Sequence, residues 1–165
     1  MKINDHYHKG PVQDLLNAVV VQAVEDYREY SAKLIVKPGS RQAAKDLEEV
    51  KSFFLSEDFC FYTKVGGDYI LKKLEEEKRI AEKLALKFRA MAGELVKLSK
   101  EFSAGGYQDI GKLEQAASLI QRVKEIQKHP LPGWKKLFVL KTAEKTAIRN
   151  LKRWRQEYEQ KNRSA

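Results

Sequence analysis

The stretch Asp68–Phe102, DYILKKLEEEKRIAEKLALKFRAMAGELVKLSKEF, decides the fold. Leu74, Ala81, Leu84, Phe88, Met91, Leu95, Leu98 and Phe102 fall on alternating steps of three and four, and only Glu77 interrupts that register. A 3.5-residue apolar period is the seam of a coiled-coil-like helix, and such a seam must bury against another helix. Ser103-Ala104-Gly105-Gly106 ends it.

Beyond that break a helix is expected over about 107–128, with Leu113, Ala116, Ile120 and Val123 on one face and Leu119 and Ile126 alongside. His129-Pro130-Leu131-Pro132-Gly133 is the clearest linker, because two prolines and a glycine cannot continue a helix. A last helix is expected over 134–159, with Leu137, Leu140, Ala147, Leu151, Trp154 and Tyr158 as its buried stripe.

On the N-terminal side, Gly10-Pro11 starts the first helix, with Pro at a position whose missing N–H costs nothing. Val20, Ala23, Tyr27, Tyr30 and Leu34 make one apolar face, and Leu16, Val19 and Val24 broaden it. Pro38-Gly39 ends this segment, and Ser40 caps a second helix carrying Ala43, Leu47, Val50 and Phe54. The densest apolar stretch follows, FFLSEDFCFY over 53–62, where Ser56 can cap a short helix. Gly66-Gly67 forms a turn, with Asp68 as the cap of the long helix. A hairpin through Tyr62–Tyr69 is the competing reading, since aromatic and β-branched residues cluster there. Phe54, Phe59 and Tyr69 are expected to join Val20 and Tyr27 in one aromatic core.

The fold expected is therefore all-α, a helical bundle of five or six helices around one long central helix. It would comprise a compact neutral module over 1–74 and a long-helix region over 75–165. The last two helices have stripes long enough to cover the seam, so a monomer is expected. No apolar run approaches the roughly 18 residues a membrane span needs. The opening MKINDHYHKG lacks an apolar signal-type stretch, so secretion is not expected. The single cysteine, Cys60, rules out an internal disulfide and is expected to be a buried, inert thiol.

Charge is where the sequence becomes lopsided. The formal net charge is +9. Residues 1–74 carry 11 Lys/Arg against 11 Asp/Glu, and residues 75–127 carry 10 against 9. Residues 128–165 carry 11 against 3, so nearly all the excess sits there. At 100° per residue, Lys141, Lys145, Arg149, Lys152 and Arg155 fall within an arc of about 120° on the last helix, away from its apolar stripe. Only Glu144 and Glu157 lie nearby. A single-sign row suits a phosphate backbone, where each cation can displace a condensed counterion. A solvated face that keeps the protein soluble is the plain alternative, and a helix C-terminus prefers cations in any case. The partner implied is nucleic acid or a ribonucleoprotein, with an acidic protein surface second.

Other chemistry finds little footing. Trp134 and Trp154 sit among cations and could stack on bases, but Trp154 belongs to the apolar stripe. His6 and His8, with His129 the only other histidine, supply too few ligands for a stable zinc site. The glycine pairs match no phosphate-cradling motif. Glu75-Glu76-Glu77 reads as a solvated face. No nucleophile–base pair stands out, so neither an enzyme, a cofactor nor a metal is expected.

Val21–Arg28 (VQAVEDYR), Phe53–Glu57 (FFLSE) and Gly67–Ile70 (GDYI) with Leu74 form a pattern that resembles a family of small, mostly uncharacterised proteins of phages and prophages of Gram-positive bacteria. The likeness covers about a third of the chain, residues 20–74, and departs near Phe59, where family members often carry Trp. It implies a mobile-element origin and a setting in the cytoplasm of a bacterial host. Phages use small helical proteins to bind their own nucleic acid, to tune transcription and to block host defences such as CRISPR effectors. A protein-binding adaptor or inhibitor docking through the aromatic 53–69 region is the other function class.

Overall fold

The computed structural model describes residues 10–128, 131 and 133–163. Over these the chain is all-α: α1 (Pro11–Val36), α2 (Arg41–Phe54), α3 (Gly67–Ala104), α4 (Ile110–Lys128) and α5 (Thr142–Arg163). Two 3₁₀ turns, Glu57–Phe61 and Lys135–Phe138, interrupt the sequence of helices, and no strand occurs among the described residues. The hairpin reading of Tyr62–Tyr69 therefore fails. The chain divides into two compact units between Glu82 and Lys83, so α3 gives its first turns to one and the rest to the other.

In the first unit, Pro11 stands at the start of α1 and the Ser40 Oγ accepts from the Ala43 N–H at 3.4 Å to cap α2. Ala23, Tyr27, Leu47, Phe54, Phe59, Leu71 and Leu74 make the core, with Val20, Tyr30, Leu34, Val50 and Phe53 packed on it. Rings of Phe53, Phe54, Phe59 and Tyr62 meet edge-on or tilted at 5.2–6.4 Å, geometry that adds to area burial. Burial, reinforced by the Glu75 carboxylate, pushes the Tyr27 phenol up to about 12.

Three expectations are corrected here. Tyr69 is exposed, because a helix beginning at Gly67 buries 67, 71 and 74 and turns 69 the other way. Cys60 is exposed as well. The 3₁₀ turn has three residues per revolution, so Phe59 and Tyr62 face inward while Cys60 and Phe61 face out. Asp68 lies inside the first turn of α3 and does not cap it.

The Gly66-Gly67 pair has a specific cause. A Cβ at Gly67 would overlap the backbone carbonyl of Phe54, whereas one at Gly66 would meet only the movable Asp68 carboxylate. The C-terminus of α2 and the start of α3 approach that closely. Glu77, the break in the seam, is also explained. Arg28 Nε and Nη2 donate to its two carboxylate oxygens at 2.9 and 3.0 Å, a two-pronged pair that ties α1 to α3. Glu77 is thus not part of a merely solvated acidic face.

In the second unit, Phe88, Leu95, Leu98 and Phe102 of α3 are buried with Leu113, Ala116, Ile120 and Val123 of α4 and with Ala147 and Leu151 of α5. The end of α3 is a Schellman motif. Gly106, at φ 69°, donates to the Ser103 carbonyl and Tyr107 to that of Phe102, while the Tyr107 and Phe102 rings meet at 5.6 Å. That motif takes up residues 105–107, so α4 starts three residues later than expected, at Ile110.

Two stability outcomes follow from the N-terminal packing. Phe54→Ala should cost about 3–5 kcal/mol in urea unfolding, as emptying a tight core position does. Gly67→Ala should cost about 1–3 kcal/mol through forced backbone movement, and Gly66→Ala distinctly less. Equal losses for the two glycines would show that the Phe54 carbonyl is not the obstacle.

Candidate nucleic-acid interface

The basic row lies on a helix whose start differs from the expected one. A single helix was expected from Trp134, but Lys135–Phe138 forms a 3₁₀ turn, Val139 is extended (φ −92°, ψ 126°), and α5 begins only at Thr142. Arg89 of α3 accounts for the break. Its Nη2 donates to the carbonyls of Leu137 at 3.1 Å and Val139 at 2.8 Å, groups that a continuous helix would have used internally. Its Nη1 faces both carboxylate oxygens of Glu144 at 3.4–3.5 Å.

Glu144 also accepts from the backbone N–H of Lys141 at 2.6 Å, and the Lys141 carbonyl accepts from the Lys145 N–H. Lys141 is therefore the N-cap and Glu144 the third residue of α5, which is half of a capping box. The glutamate is only 7% exposed. Its charge is committed inward, to Arg89 and to the helix end.

This arrangement alters the composition of the row. Lys141 lies before α5, outside the helical arc assigned to it from sequence. Arg155 is on the helix and exposed, but its Nε reaches Glu159 at 3.0 Å. Lys145, Arg149 and Lys152 remain, exposed at steps of four and three, and they make no ion pair among the described residues. Of the acidic neighbours, Glu144 is turned into the core and Glu157 sits 3.7 Å from Arg153. Lys145, Arg149, Lys152 and Arg153 line one open depression of about 500 Å³ with Ile148 and Gln156.

The tryptophans are not base-stacking platforms. Trp134 is completely buried. Trp154 is half-buried and packs against the rings of Phe102, at the end of α3, and Tyr107, just beyond it, each 5.3 Å away. Arg153 lies 6.0 Å from its ring centre. Sequence alone could not tell Trp134 from a stacking residue, because it follows the linker and has cations on its far side. His6, His8 and His129 lie outside the described residues. Among the described residues no group of three or more His, Cys, Asp or Glu is placed to hold a metal. Among the described residues no helix is long and apolar enough to cross a membrane.

Compared with protein-family models, curated proteins and solved structures, the chain matches none of them.

Glu144→Ala should uncap α5 and remove the partner of Arg89, at a cost of about 1–3 kcal/mol in chemical denaturation. Lys145→Ala, one residue on, should stay within about 0.5 kcal/mol of the parent. A neutral Glu144→Ala would mean that Arg89 and the cap do not hold the start of the helix.

Proposed function

We propose that the chain acts by binding, as an accessory protein of a mobile element. The exposed Lys145–Arg149–Lys152 face of α5 would contact nucleic acid or a ribonucleoprotein in a bacterial host. The observation that carries this reading is the absence of ion pairs to those three cations among the described residues, with Glu144, the sequence neighbour of Lys145, withdrawn into the core. Phosphates are spaced so that neighbouring cations on one helix face can meet a run of them, and each contact releases a counterion. Inhibition of a nucleic-acid-guided host defence complex, such as a CRISPR effector, is the specific form proposed. A DNA mimic would need a net negative charge, and +9 is the wrong sign for that mechanism. Gripping guide RNA or bound DNA is compatible with it.

A second reading has an observation of its own. Leu55, Phe61, Val65 and Tyr69 are exposed in the 53–69 region, Phe61 by 71%. An adaptor that docked a protein through these side chains would bind with little dependence on salt. The phosphate reading demands a steep one, with a slope close to the number of phosphates contacted.

The deciding experiment reverses the middle of the row. In the Lys145→Glu, Arg149→Glu, Lys152→Glu variant the helix should survive, since exposed substitutions cost tenths of a kcal/mol each. Affinity for DNA, RNA or a ribonucleoprotein target at low salt should drop by about two orders of magnitude or more, and the remaining binding should show a shallower salt slope. An intact fold with unchanged affinity and slope would overturn the assignment and leave the exposed 53–69 side chains as the working surface.

A further inference from the structure

Residues 1–74 carry zero net charge, yet their charges are not evenly spread. Between α1 and α2 lies a groove of about 400 Å³, floored by Val19, Val50 and Phe53 and rimmed by Asp26, Asp46 and Glu49. The lining residues recur at steps of three and four on both helices, so the groove is the trough between two helical ridges. Asp26 and Asp46 accept only from Gln22 and Gln42, each at 2.7 Å, and neither makes an ion pair among the described residues. Glu49 has Lys45 at 3.7 Å, with both side chains well exposed, a contact that contributes little. The Tyr30 phenol in the groove is held above its ordinary value by burial and then by the Asp26 and Asp46 carboxylates.

We propose that this groove is a docking site for a cationic amphipathic helix of a partner protein. Two packed helices expose a trough that a third helix fills in the common helix-in-groove mode, with apolar anchors at i, i+3, i+4 and i+7. Here the trough offers the floor for such anchors, and its rim offers carboxylates that Lys or Arg on the flanks of the incoming helix can reach. Burial of the apolar face supplies affinity, and the sign of the rim selects the partner. The same carboxylates repel phosphate, so this surface does not bind nucleic acid. A protein whose own business is with nucleic acid presents basic helices of this kind, which fits a chain that meets a ribonucleoprotein with one unit and its protein component with the other. The groove stands on its own residues and does not depend on the role given to α5.

The test uses the full chain and a labelled amphipathic helix of Leu, Lys and Arg, followed by fluorescence anisotropy. The control is a peptide of identical composition whose scrambled order abolishes the apolar face. The intact chain should bind the amphipathic probe about tenfold or more tighter than the scrambled one. Asp26→Asn, Asp46→Asn, Glu49→Gln should weaken it about tenfold or more, while the Lys145→Glu, Arg149→Glu, Lys152→Glu variant should bind no less tightly than the parent. Equal binding of both peptides, or no effect of neutralising the rim, would overturn the proposal. Sedimentation of the chain alone supplies one further outcome. Self-association that the rim variant abolishes would make a second copy the occupant and would equally overturn it.

Discussion

Everything in the molecule is arranged around the need to cover one apolar seam. The seam of α3 extends from Leu74 to Phe102, nearly 30 residues, and a bare stripe of that length would drive aggregation. The chain covers it with two separate sets of partners. Leu71 and Leu74 enter a core made by α1, α2 and the aromatic turn, and Phe88 to Phe102 enter another made with α4, the second 3₁₀ turn and α5. A long-range arginine contact adds to each core, Arg28 to Glu77 in one unit and Arg89 to Glu144 in the other.

The Arg89 tie does more than hold two elements together. By donating to the carbonyls of Leu137 and Val139, the guanidinium allows the chain to turn between the 3₁₀ segment and α5 while both acceptors stay hydrogen-bonded. By facing Glu144 it keeps a carboxylate at the third residue of α5, where that group also caps the helix. With Glu144 turned inward, Lys145, Arg149 and Lys152 make no ion pair among the described residues. A packing solution on the inner side of the helix thus fixes the electrostatics of its outer side.

How much of this was legible beforehand follows from which physical signal each feature rests on. The long helix, the α1 and α2 faces and the Ser40 cap rest on local periodicity and capping, and these read directly from the sequence. The exposure of Cys60 and Tyr69 does not, because it depends on a 3₁₀ turn and on the helix starting one residue earlier at a glycine pressed against Phe54. The break before α5 is invisible for another reason. Residues 134–141 hold no Pro or Gly beyond the linker, and the cause lies 50 residues away in Arg89. Lys145, Arg149 and Lys152 stayed together from sequence to structure because their spacing is helical. Lys141 and Arg155 separated from them because a cap and an i,i+4 partner are matters of context.

The exact position of the row within α5 bears on what it is for. Cations gather at helix C-termini because the macrodipole stabilises them there, by about 0.3–1 kcal/mol each. Lys161 and Arg163 in the last turn of α5 can be explained in that way. Lys145, Arg149 and Lys152 cannot, since they occupy the first half of a helix that starts at Thr142. There the dipole gives them nothing, and at Lys145 it opposes them. Nor do they complete i,i+4 pairs with acids, as Arg153 and Arg155 do with Glu157 and Glu159. Solubility would be served as well by mixed charges of both signs, which is how the rest of the α5 surface is built. Neither the dipole nor local pairing accounts for three unrelieved cations in line, and that is what supports the proposed anionic partner.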